Sequence, residues 1–175
     1  MSDLVRSIPN RNQVTMLDLT SQSSQNLQSN VIVDLFNEMT NISTLRLTKE
    51  NLFDLIECSF IRTIFSQRIQ SLTIRFGRNS LTFNDFIEID KVFSKTLHFL
   101  YIEIDDYGEF DENLHLFFSI LFSSNWKELY QFNLRFARQQ TSTFQSNFYE
   151  LIEKQKQIRK SIEYSIKNQQ FSIYF

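Results

Sequence analysis

Ile42-Ser43-Thr44-Leu45-Arg46-Leu47 and Ile69-Gln70-Ser71-Leu72-Thr73-Ile74 are two copies of one pattern. An apolar residue is followed by two free positions, a second apolar residue, one free position and a third apolar residue. The spacing recurs in Val14-Thr15-Met16-Leu17-Asp18-Leu19, in Leu97-His98-Phe99-Leu100-Tyr101-Ile102 and in Leu129-Tyr130-Gln131-Phe132-Asn133-Leu134. The copies begin 28, 27, 28 and 32 residues apart, and a fixed period of this length marks a repeat architecture. A second marker keeps the same beat. Phe36, Phe65, Phe93 and Phe122 lie 29, 28 and 29 residues apart, and the last three are each followed by Ser. Three extra residues around Trp126 nearly account for the long final step, as an insertion in a connection.

Each unit divides in two. Leu45 and Leu47 fall on one face of a strand, and Thr44, Arg46 and Thr48 on the other. The second half of the unit has helical spacing. Leu52, Phe53, Leu55 and Ile56 lead to Phe60, Ile61, Ile64 and Phe65. Phe83, Phe86, Ile87 and Ile89 lead to Val92 and Phe93, and Leu114, Phe117, Phe118, Leu121 and Phe122 form a wide stripe. Thr82 or Asn84, and Asp111 or Asn113, are candidate helix caps. Strand, helix and strand at constant period imply parallel strands joined by right-handed crossovers, and stacking builds one continuous core. A single domain is expected over 1–175: a cap or half repeat over 1–13, repeats over 14–143 and a closing cap over 144–175. Leu4, Val5 and Ile8 read as the last turn of a helix stopped by Pro9. Phe144 to Lys160 reads as a helix. The alternations Ile162, Tyr164, Ile166 and Phe171, Ile173, Phe175 read as a closing hairpin.

The Leu-x-x-Leu-x-Leu spacing resembles the leucine-rich repeat family, in its longer helix-containing form found in ribonuclease-inhibitor-like proteins and in the repeat halves of F-box adaptors. The resemblance covers residues 14 to about 136. It implies an α/β solenoid of about five repeats, with a curved parallel sheet on the concave side and helices on the convex side. The family usually carries Asn or Cys three residues after the last strand Leu. Here that position holds Gln22, Glu50, Gly77, Asp105 and Ala137, so the ladder that satisfies the loop backbone is missing or improvised. No F-box-like segment precedes the repeats in this sequence.

Composition removes several chemistries. Two Gly cannot build a phosphate-cradling loop, and a single Cys makes neither an internal disulfide nor a multi-cysteine zinc site. His98 and His115 are the only histidines, and neither has a nearby partner for catalysis. No nucleophile–base pair can be assembled, so a small α/β enzyme is the weakest reading, and no cofactor or metal is expected. The net charge of −2 gives no nucleic-acid signature, and no apolar run reaches the roughly 20 residues of a membrane helix. Without a signal peptide the chain reads as cytoplasmic or nuclear, and Asn41-Ile42-Ser43 as a chance sequon at a buried strand entry. Residues 79–120 carry nine acids against two bases, mostly in the stretch from Glu103 to Glu112, which reads as a solvated loop. Lys154, Lys156, Arg159 and Lys160 read as an exposed helix end, and Cys58 as a small core residue within a helical stretch.

What remains for function is one sheet face. Parity places three columns on it: Asp18, Arg46, Thr73, Tyr101, Asn133 at the centre, with Met16, Thr44, Ser71, Phe99, Gln131 and Thr20, Thr48, Arg75, Glu103, Arg135 on either side. Binding energy concentrates on aromatic residues and Arg, so Phe99, Tyr101, Arg46, Arg75 and Arg135 lead. Met16, Asp18, Thr73, Glu103 and Asn133 complete the candidate surface. The expected role is a non-enzymatic module that binds a protein partner, as a monomer or within a larger complex. The substrate-recognition part of an F-box-type ubiquitin ligase adaptor is the alternative.

Overall fold

Each copy of the pattern forms a strand. In a computed structural model, which describes residues 10–21, 29–77, 81–105, 114–123, 125–137, 141–158, 161–167 and 169–175, these strands are β1 (Met16–Asp18), β2 (Thr44–Thr48), β3 (Ser71–Phe76), β4 (Phe99–Ile104) and β5 (Gln131–Phe136). They alternate with α1 (Ser29–Glu38), α2 (Lys49–Ile56), α3 (Ser59–Arg68), α4 (Phe83–Phe93) and α5 (Leu114–Leu121). Then come α6 (Ser142–Ile158), β6 (Glu163–Lys167) and β7 (Gln170–Tyr174), while a 3-10 turn at Arg11–Gln13 precedes β1. Pro9 and the residues before it, Gln22, residues 106–113 of the acidic stretch with the proposed caps Asp111 and Asn113, and Arg159 and Lys160 lie outside the described residues.

One sheet holds all seven strands in the order β1-β2-β3-β4-β5-β7-β6. β1 to β5 are parallel neighbours. Leu45, Leu72, Leu100 and Phe132 share one register row, and Leu47, Ile74, Ile102 and Leu134 another. The hairpin of β6 and β7 turns back so that β7 lies antiparallel to β5. Side chains on one face of β2 to β5 are at most 4% exposed. The opposite set is half-buried or exposed, Asn133 excepted. The helices therefore cover one face of an α/β sheet, and that face holds the core. Phe76, Ile104 and Phe136 extend the inward rows one position beyond the repeating pattern, and all three are buried.

The Phe beat has a packing cause. Phe36 meets Phe65 edge-on at 5.4 Å, and Phe65 stacks on Phe93 at 5.9 Å, so three successive units share one aromatic spine. Phe122 stacks on Phe118 at 5.6 Å, and Trp126 of the insertion lies over Phe86 at 6.1 Å. A second cluster closes the C-terminal end. Phe171 of β7 contacts Phe136, Phe144 and Phe148 at 5.7, 5.6 and 4.4 Å.

Local chemistry sets the helix ends. Thr82 caps α4: its hydroxyl accepts from the Asp85 backbone N–H at 3.2 Å, and the Asp85 carboxylate accepts from the Thr82 N–H at 2.8 Å. Asp85 also takes the Lys49 ammonium at 2.7 Å, tying two repeats together. Thr141 starts α6 by accepting from the Phe144 N–H at 3.1 Å. The helical stretch after β2 is two helices. Cys58 stands at the break in extended conformation (φ −75°, ψ 113°), half-buried against the core, as the N-cap of α3, which corrects its placement inside one helix. The Arg62 side chain donates to the freed Ile56 carbonyl at 3.0 Å and stabilises the break. Asn41 is also a correction. It is exposed in a turn beside buried Ile42, and its amide donates to the Asn12 carbonyl at 2.6 Å.

The backbone ladder is improvised one position late. Asn51 in the first turn of α2 is fully buried, and its Nδ2 donates at 2.9 Å to the carbonyl of Leu19, at the exit of β1. A side chain of one unit thus satisfies the loop of the unit before it.

Candidate functional site

The face opposite the helices carries the columns that parity predicts. Asp18, Arg46, Thr73, Tyr101 and Asn133 are register partners across five strands, continued by Ser172 and Ser165 of the hairpin. Met16, Thr44, Ser71, Phe99 and Gln131 form the row on one side, continued by Tyr174 and Glu163. Thr48, Arg75, Glu103 and Arg135 form the other, continued by Gln170 and Lys167, while Thr20 lies beyond the end of β1.

Charges on this face pair along the rows. Arg46 reaches Asp18 at 3.2 Å, and Glu103 lies between Arg135 at 3.6 Å and Arg75 at 4.0 Å. Exposed pairs of this kind contribute little to stability, about 0–1 kcal/mol each. They set each guanidinium beside a carboxylate of a neighbouring strand. The Asp18 carboxyl is held below its ordinary value, first by the Thr20 hydroxyl donating at 2.7 Å, then by the Thr20 backbone N–H at 3.0 Å, with Arg46 adding to both. The Arg135 guanidinium is held above its ordinary value, first by its interaction with the Tyr101 oxygen, to which it donates a hydrogen bond, and then by the Glu103 carboxylate. Arg135, Tyr101 and Glu103 thus act as one polar unit at the centre of the sheet.

Asn133 corrects part of the predicted surface. It lies in the central column but is buried, and its amide oxygen accepts from Ser172 at 2.7 Å and from Gln131 and Gln170 at 3.1 Å each. The hairpin brings two of those donors across from β7. Asn133 therefore fastens the closing strands and is not open to a partner.

The row that begins at Met16 carries the large exposed apolar side chains of this face. Met16, Phe99 and Tyr174 are 50%, 45% and 40% exposed, and Tyr130, one residue before β5, is 54% exposed. Phe99, His98 and Tyr130 form an aromatic group with centroids 5.1–6.5 Å apart. Tyr130 also lines a cavity of about 450 Å³ with Trp126, Lys127, Ile162 and Phe175. Sequence reasoning missed Tyr130 and Tyr174. The parity of β7 could have found Tyr174, whereas Tyr130 precedes its strand and carries no periodic signal.

Away from this face, Lys154 and Lys156 pair with Glu150 at 2.7 Å and Glu153 at 3.6 Å along α6, as an exposed helix surface does. His115 is exposed on α5. No helix of the described residues is long and apolar enough to cross a membrane. A polar cavity of about 600 Å³ lies among Asp90, Lys91, Ser94, Lys95, Asn125, Lys127 and Glu128. Burial raises the Asp90 carboxyl above its ordinary value, against the opposing pull of Asn125 and Trp126. The folded chain therefore binds a proton here more readily than the unfolded chain. The resulting stability is greatest below the ordinary carboxylate value and is lost as pH rises through the folded one. We expect the stability of the wild type relative to Asp90→Asn to rise as pH is lowered from about 7 to about 4. Paired urea melts at the two pH values check this, and a pH-independent difference would contradict it.

Comparison of the chain with known protein families, curated proteins and solved structures returns no match. The class is thus defined by the fold itself: an α/β protein with a mostly parallel seven-stranded sheet covered by helices on one face.

Proposed function

We propose that this chain is a protein-interaction module, a leucine-rich-repeat-like arc that binds a protein partner through its open sheet face. One observation carries the reading: the face opposite the helices has no covering layer among the described residues. Parallel sheets are normally buried on both sides, and repeat arcs use the exposed concave surface for recognition. The chemistry of the face supports the same reading. Arg46, Arg75 and Arg135 are exposed beside carboxylates, Tyr101 is half-buried among them, and Phe99 is exposed in the neighbouring row. Rigid aromatic and guanidinium groups bind with little loss of side-chain freedom. The role is binding without catalysis.

The test is capture by immobilised wild type against Arg46→Glu plus Tyr101→Ala, followed by affinity measurement with the recovered partner. Loss of two hot-spot contacts should weaken binding by roughly thirtyfold or more. Urea midpoints should move little, because Arg46 is exposed and Tyr101 only half-buried. Unchanged recovery by a folded double variant would overturn the reading.

A further inference from the structure

β6 is the last strand of the sheet and pairs only with β7 among the described residues. Its outer edge presents backbone groups that no described strand takes up, and such an edge is a template for another strand. Lys167 faces Gln170 across a two-residue connection in which Gln169 is left-handed (φ 66°), and Ser165 and Glu163 face Ser172 and Tyr174. Pairs alternate between bonded and non-bonded along an antiparallel ladder, and a two-residue hairpin closes on a bonded pair. Glu163, Ser165 and Lys167 therefore direct their backbone groups to β7. Tyr164 and Ile166 direct theirs to the free edge.

The side chains along that edge run acid, aromatic, hydroxyl, aliphatic, base, from Glu163 to Lys167. The order is charge-antisymmetric about Ser165. An identical strand laid antiparallel and centred on Ser165 sets Glu163 opposite the second copy's Lys167, and Lys167 opposite its Glu163. Both fall in the non-bonded class, where side chains approach most closely. Tyr164 and the second copy's Ile166 then exchange the backbone bonds. Other registers lose this match. A shift of one residue puts the side chains on opposite faces, a shift of two leaves a charge unpaired, and parallel pairing in register sets like charges side by side. Both residues are exposed, and neither forms an ion pair with a described residue. From the other side, α6 holds the strand: Tyr149 meets the Tyr164 ring at 5.7 Å, and Lys156 Nζ lies 4.8 Å over it.

We propose that β6 pairs with β6 of a second copy, antiparallel and centred on Ser165, so that two seven-stranded sheets become one across a two-fold axis. The axis is perpendicular to the sheet, which sets both open faces on the same side. The inference stands apart from the function proposed above: Glu163, Ser165 and Lys167 continue the rows of the open face, but none of them is among the residues proposed to bind the partner.

Sedimentation velocity from about 1 µM to about 1 mM covers the range of a small, weak interface. Wild type should pass from monomer to dimer. Glu163→Lys and Lys167→Glu should each weaken dimerisation about tenfold or more, since each turns two attractive pairs into two repulsive ones. The double variant, and an equal mixture of the two single variants, should dimerise like wild type. Hydrogen exchange on wild type alone gives a second readout: the Tyr164 and Ile166 amides should slow as concentration rises, while that of Ser165 should not. Monomer at every concentration, single variants that dimerise like wild type, assemblies that grow beyond a dimer, or edge amides insensitive to concentration would each overturn the proposal.

Discussion

Replacing Phe65 with Ala is expected to destabilise the fold by about 3–5 kcal/mol, a large share of the 5–15 kcal/mol typical of a domain. Phe65 is fully buried on α3, between Phe36 of the unit before and Phe93 of the unit after. Removing its ring withdraws apolar area from the core, leaves a cavity and deletes two aromatic contacts worth about 0.5–1.5 kcal/mol each. No neighbour can close that gap without moving a helix of an adjacent repeat. Phe60 on the same helix is 50% exposed, so Phe60→Ala is the internal control and should change stability by less than about 1 kcal/mol. Urea unfolding measures both, with an unchanged slope showing that the compactness of the end states is the same. Equal midpoints for the two variants would mean that Phe65 does not join the repeats.

Asn51→Ala is expected to cost about 1–3 kcal/mol through loss of its hydrogen bond to the Leu19 carbonyl. The Asn51 amide is the donor that the Leu19 carbonyl receives from the next unit. Without it that carbonyl keeps its desolvation cost and loses its partner. Asn51→Asp makes a sharper comparison. At neutral pH it sets a carboxylate against a carbonyl and should be at least as damaging as Ala. As pH falls the acid protonates, regains a donor and should recover stability, because burial raises its folded value above the unfolded one. Thermal melts of both variants at two pH values read out the difference. Asp as stable as Asn at neutral pH would show that the donor is unimportant.

The parts of this fold that repeat were legible, because the repeated apolar positions answer to one cause. A position that points at the helices must be apolar in every unit, so Leu45, Leu72, Leu100 and Phe132 announce both the strands and their register. The same parity placed Arg46, Tyr101 and Arg135 on the open face. What escaped depends on contacts distant in sequence. The burial of Asn133 follows from donors that β7 delivers from 37 and 39 residues away, and no periodicity in the repeats encodes that hairpin's position. The break at Cys58 depends on a guanidinium satisfying a freed carbonyl. Asn51 was missed because its ladder position is shifted by one residue from the family's pattern. Tyr130 was missed because it lies just outside a strand.

Whether the open face recognises a partner is decided by comparing the two sides of the same sheet. A photo-crosslinking residue would be placed at Phe99 or Arg46 on the open face, and at Glu88 on α4 or Phe60 on α3 on the helix side. Each variant would then be irradiated with the partner recovered by wild type. Adducts are expected from positions 99 and 46 and none from positions 88 and 60. Adducts confined to the helix side would refute recognition through the open face.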